Sequence, residues 1–160
     1  MITIRRCVLR RLLRTVFFVV FFGSAASPAL AGDQIFTSWG KAIRGYDTVA
    51  YFTEGKPVEG DSEFTYRWMD AKWYFANAAN RDAFAKEPKR YAPQYGGYCA
   101  WAVSQNYTAS IDPEAWKVVD GKLYLNYSKD LQAQWIAGGL DKLILQGDQN
   151  WPELRAELLN

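Results

Sequence analysis

Phe64-Thr65-Tyr66-Arg67-Trp68-Met69-Asp70-Ala71-Lys72-Trp73-Tyr74-Phe75-Ala76-Asn77 is where the local pattern of this chain changes period. Phe64, Tyr66 and Trp68 alternate with Thr65 and Arg67, the period of two that sorts side chains onto opposite faces of a strand. After Met69-Asp70-Ala71, the segment Lys72-Trp73-Tyr74-Phe75 reads as a return strand, which makes a β-hairpin with an aromatic face. Asn77 then has the side chain to cap a helix from Ala78 to about Glu87. Ala79, Ala83 and Phe84 fall on one face of it, Asp82 and Lys86 are four apart on the other, and Pro88 stops it. A hairpin followed by a capped helix, with no repeat or low-complexity tract anywhere, predicts one small α+β domain.

Working toward the C-terminus, Tyr91 to Ser104 holds the densest aromatic run, the Gly96-Gly97 pair and Cys99. This stretch is expected to set the function. Paired glycines between tyrosines imply backbone that a β-carbon would obstruct. Gln105 to Glu114 reads as a polar loop. Trp116-Lys117-Val118-Val119 and Lys122-Leu123-Tyr124-Leu125 flank Asp120-Gly121, the strongest short hairpin signal. Ser128 caps a following helix with Leu131 and Trp135 four apart, and Gly138-Gly139 ends it. Leu140, Leu143 and Ile144 mark another helix, and Trp151-Pro152 is expected to restart a short one. Phe64, Trp68, Trp73, Phe75, Phe84, Tyr91 and Trp101 are expected to share one core.

Toward the N-terminus, Val49-Ala50-Tyr51-Phe52 is too short for periodicity to separate strand from helical turn. Residues 32–44 read as an extended arm docking through Ile35, Phe36 and Trp39. Before them come Arg5, Arg6, Arg10, Arg11 and Arg14, the apolar run Thr15 to Phe22, and Ala29-Leu30-Ala31. That order is a secretory signal peptide, residues 1–31, with cleavage expected after Ala31. A spanning helix needs roughly 20 apolar residues, more than the run supplies. Arg5-Arg6 with Val8-Leu9-Arg10 also has twin-arginine spacing, so either Sec or twin-arginine export to the periplasm or beyond is expected. Residues 45–127 form the expected core of the domain, with helices of 128–160 packed on it.

The leader carries five of the nineteen basic residues and no acidic one, so the mature chain of about 129 residues has a net charge of about −3. Its apparent basicity belongs to the leader, and no nucleic-acid footprint remains. The chain has no histidine, which excludes Ser-His-Asp and Cys-His nucleophiles and imidazole metal sites. Gly96-Gly97 lacks the Lys-Ser/Thr of a phosphate loop, and no carboxylate pair stands out as an acid/base dyad. Cys99 loses Cys7 with the leader, which counts against dithiol chemistry. Its apolar neighbours favour a buried, inert thiol, with metal ligation and redox chemistry as the alternatives. Tyr91, Tyr95, Tyr98 and Trp101 suit core packing with hydroxyls reaching outward, or the wall of a ligand pocket. Asn106-Tyr107-Thr108 and Asn126-Tyr127-Ser128 are formal glycosylation sequons, read as coincidence behind a bacterial-type leader.

Gly45-Tyr46-Asp47-Thr48-Val49-Ala50-Tyr51-Phe52, Trp73-Tyr74-Phe75, Asn80-Arg81-Asp82-Ala83-Phe84 through Pro88, Tyr91 and Gly96-Gly97-Tyr98-Cys99-Ala100 together resemble the YHS domain family in its secreted bacterial branch. The resemblance covers nearly all of the mature chain. It implies a small α+β module centred on a hairpin and helix, in a family associated with metal handling. The metal-associated relatives look like Asp-Pro-Val-Cys at the first motif, with further cysteines at the hairpin-to-helix junction. Those cysteine positions match Ala50, Ala76 and Asn80 here, and the proline position is Thr48. With all three soft ligands absent, the family's metal site is expected to be lost.

The leading expectation is a secreted, non-enzymatic YHS-type module. It would bind a protein partner or small ligand through Tyr95, Gly96, Gly97, Tyr98, Cys99 and Trp101. One rival is a periplasmic copper or other transition-metal handling protein using Cys99 as a ligand; another is a thiol-dependent redox protein. No other cofactor, no nucleic acid and no stable membrane anchor after cleavage are expected, and the chain is expected to be a monomer.

Overall fold

The computed structural model describes residues 34–159. The leader, its cleavage site and the first two residues of the expected arm lie outside them. Three hairpins share one turn chemistry. Strands β1 (Thr37–Ser38) and β2 (Lys41–Ala42) join through Trp39-Gly40, β3 (Asp61–Trp68) and β4 (Ala71–Phe75) through Met69-Asp70, and β5 (Asp112–Val119) and β6 (Lys122–Asn126) through Asp120-Gly121. Both residues of each turn have positive φ, from 49° to 74°. This twist matches that of the flanking strands. The first four strands form one sheet in the order β1-β2-β4-β3, with β2 and β4 parallel, and β5-β6 form a separate ribbon.

The helices are α1 (Ala50–Thr53), α2 (Ala78–Lys86), α3 (Pro88–Tyr91), α4 (Ala100–Ser104), α5 (Lys129–Ala137) and α6 (Leu140–Glu157). The Asn77 side chain accepts from Asn80 N at 2.9 Å and that of Ser128 from Leu131 N at 3.2 Å, so both expected caps start their helices. The α+β class is as expected.

Val49 to Phe52, left open by the sequence between strand and helical turn, is a helical turn capped by the Asp47 side chain. Four local expectations need correction. The extended arm expected over 32–44 is, in its described part, the β1–β2 hairpin at the edge of the sheet. The loop after Gln105 ends sooner than Glu114: Ile111 is buried and β5 begins at Asp112. Pro152 does not restart a helix, since α6 runs through it. Pro152 is exposed, so the carbonyl it leaves unbonded, that of Asp148, falls on the side where water can reach it. Trp39 does not dock. It stands 98% exposed at the tip of the β1–β2 turn, while Ile35 is buried and Phe36 packs on the core.

Phe84 of α2 is fully buried, with the rings of Tyr66, Trp68, Trp73 and Phe75 at centroid distances of 4.8 to 6.2 Å. The core expected from the sequence is therefore one cluster: Trp73, Phe75 and Phe84 buried in it, with Phe64, Trp68, Tyr91 and Trp101 packed against them. A second cluster was not foreseen. It joins Tyr95, Val103, Tyr124, Trp135, Leu143 and Leu154 between α4, α5 and α6. Strand β6 separates the two: Leu123 and Leu125 point into the first and Tyr124 into the second, so both its faces are buried.

Candidate functional site

Tyr95, Gly96 and Gly97 are three consecutive residues in the left-handed region, with φ of 54°, 61° and 85°. The need for glycine is set by neighbours as well as by φ. A Cβ on Gly96 would lie 2.0 Å from the Gln34 carbonyl oxygen, and one on Gly97 would lie 2.8 Å from Ile43 Cγ2. The close approach lets Phe36 N donate to Gly96 O at 2.8 Å, which lays the N-terminal segment along the glycine pair.

A cleft of about 330 Å³ opens beside Gly96, where three distant segments meet. Trp68 comes from the end of β3 and Met69 from the β3–β4 turn, Lys89 from α3, and Trp151 and Arg155 from α6. Met69 is held there by the positive φ of its turn, and Arg155 Nε donates to Gln34 Oε1 at 3.0 Å. Among the described residues, the lining has two cations, two indoles and no carboxylate. Such a surface fits an anion with an apolar or aromatic body, through charge-assisted hydrogen bonds at one end and ring contacts along the other.

The six residues expected to form one ligand surface are divided between interior and cleft. Tyr95 and Gly96 line the cleft. The Tyr95 hydroxyl nonetheless reaches inward, against the expectation: it lies 3.0 Å from Asp148 Oδ1 and 3.1 Å from the Ile144 carbonyl. Burial, reinforced by the Asp148 charge, pushes its ionisation far above the ordinary tyrosine range. Gly147 of α6 makes the room, since a Cβ there would sit 2.6 Å from that hydroxyl. Gly97 is buried, and half-buried Tyr98 packs edge-on against Phe36. Trp101 meets Tyr107 on another side and touches both core clusters.

Cys99 is fully buried before α4. Its thiol points at Asn126 Oδ1, 3.8 Å away, and its sulfur accepts from Tyr127 N at 3.2 Å. Burial raises the thiol's pKa, and hydrogen bonds from the Ala102, Tyr127 and Trp101 backbone offset this in part. A protonated thiol without solvent access is a poor nucleophile and a poor metal ligand. Among the described residues, no group of three His, Cys, Asp or Glu side chains could hold a metal ion. Asn126 is also fully buried, so the second sequon is closed in the folded chain.

Asp47, which the sequence presents only as part of a motif, is a centre of the structure. It is fully buried. Its Oδ1 accepts from Val49 N at 2.8 Å and Ala50 N at 3.3 Å, and its Oδ2 from Ala76 N at 2.8 Å and Asn80 Nδ2 at 2.7 Å. One carboxylate thereby ties the start of α1 to the β4–α2 junction. Ala50, Ala76 and Asn80 all supply donors to it.

Lys89, Arg155 and Trp151 carry no local signal, because their role arises only where α3 and α6 meet the β3–β4 turn. None of the family models, curated proteins or solved structures compared with the chain matches it.

Proposed function

We propose that the protein is a secreted, non-enzymatic binding module of YHS type that holds a small anionic ligand with an aromatic or apolar body in the cleft beside Gly96. The observation that carries this reading is the pairing of Lys89 and Arg155 with Trp68, Met69 and Trp151 in a lining to which no described residue adds a carboxylate. The weak acids nearest to hand, the Tyr95 hydroxyl and the Cys99 thiol, are both pushed up by burial, which suits binding better than proton transfer or nucleophilic attack. The convergence of positions 50, 76 and 80 on Asp47 supports the YHS-type reading of the scaffold.

Calorimetric titration with 2-naphthoate and with uncharged 2-naphthalenemethanol tests the site. The carboxylate is expected to bind at one site per chain and the alcohol about tenfold or more weaker, with Arg155→Gln and Lys89→Gln each costing the carboxylate about tenfold. Equal affinity for the two probes, or variants indistinguishable from the parent, would refute the assignment.

A further inference from the structure

The outer face of the four-stranded sheet carries like charges side by side. Directly paired positions run Ser38, Lys41, Lys72 and Arg67 across β1, β2, β4 and β3. Lys41 Nζ and Lys72 Nζ lie 5.0 and 5.1 Å from the centroid of the Tyr74 ring, which places both on its face. Like charges in direct cross-strand pairs weaken a sheet. Among the described residues, neither these three cations nor neighbouring Arg44 has a carboxylate within 4.0 Å. Asp70, the acid closest in sequence to Lys72 and Arg67, pairs with none of them. In a mature chain that is slightly acidic as a whole, this concentration is a local feature of one face.

At the edge of that face stands Trp39, 98% exposed and more so than any other large apolar residue described. Its φ of 54° occupies a turn position where asparagine, aspartate or glycine is less strained. The indole shares a hollow of about 310 Å³ with Ser38, Lys41 and Arg44. Neither core cluster includes Trp39, so packing does not account for it.

We propose that this face docks reversibly on an anionic phospholipid bilayer, with Trp39 seated at headgroup level and Lys41, Arg44, Arg67 and Lys72 over the lipid phosphates. Indole and cations in this combination match the polar–apolar boundary of a membrane with a negative surface. A folded protein partner would call for apolar area around the anchor, and here the surroundings are charged. A single nucleic-acid strand would call for successive stacking rings, whereas Tyr74 is covered by two lysines. Docking is peripheral: among the described residues no helix is long and apolar enough to cross a membrane.

Residues 32–160 hold every described element and omit the leader's arginines. They are sedimented with vesicles of phosphatidylcholine, with or without phosphatidylglycerol. The protein is expected to sediment with the anionic vesicles alone and to be released by salt. Trp39→Ala is expected to lower the partition coefficient about tenfold and the triple variant Lys41→Gln, Arg67→Gln, Lys72→Gln about a hundredfold. Both should keep the parent's circular dichroism. Absence of sedimentation, equal sedimentation with neutral vesicles, or variants without effect would overturn the proposal. So would retention by polyglutamate or a single-stranded oligonucleotide in place of anionic vesicles, which would assign the face to a polymer.

Discussion

Gly96 and Gly121 share a left-handed φ, 61° and 73°, and differ in what surrounds them. A Cβ on Gly121 meets nothing within 4 Å, whereas one on Gly96 meets the Gln34 carbonyl. Gly121→Ala should therefore cost only the conformational strain, about 1 kcal/mol, and Gly96→Ala about 3 kcal/mol or more, because backbone must also move. Urea midpoints for the two variants measure the difference, and equal losses would show that the 34–36 segment does not lie against the glycine pair. The sequence reveals that Gly96-Gly97 needs unusual backbone, since glycines between tyrosines have few other uses. It does not reveal that Tyr95 shares the conformation, or that Asp47 also gathers donors from Ala76 and Asn80, because the partners of both lie dozens of positions away.

At the scale of elements, two hairpins and two capped helices carry signals local to them, which is why the alternation of Phe64 to Trp68, Asp120-Gly121, Asn77 and Ser128 could be read in advance, whereas the β1–β2 hairpin stands where an extended arm was expected. The elements misread were those whose state is decided by packing. Ile111 is buried and leads directly into β5, and α6 passes through Pro152 because that residue faces water. Trp73 and Phe84 are the centre of the first cluster, with centroids 4.8 Å apart, and join the sheet to α2. Trp73→Ala or Phe84→Ala should each cost about 3 to 5 kcal/mol, a large part of a domain's typical stability of about 5 to 15 kcal/mol. Denaturant midpoints close to the parent's for both would place the core elsewhere.

Across the whole molecule, buried tyrosines tie stability to pH. Burial first, then the charges of Asp148 and Asp120, push Tyr124 up from 10.0 to about 12, and burial raises Tyr51 and Tyr95 further. The unfolded chain releases these protons first. Their contribution is therefore fully present below pH 10 and lost as pH rises through the folded values, with Tyr124 alone withdrawing on the order of 3 kcal/mol by about pH 12. Chemical denaturation at a series of alkaline pH values should show this fall, and a flat profile above pH 10 would contradict the burial of these rings. The cleft belongs to this scale as well, since Trp68, Lys89 and Arg155 come together only when the chain is folded, and neither composition nor spacing announces them. The most direct measurement of the account is an amide and indole NMR map recorded while 2-naphthoate is added. Shifts centred on Gln34, Met69, Lys89, Gly96 and the indoles of Trp68 and Trp151 are predicted. Shifts confined to Trp39 and the sheet face, or no saturable shifts at all, would contradict a ligand site beside Gly96.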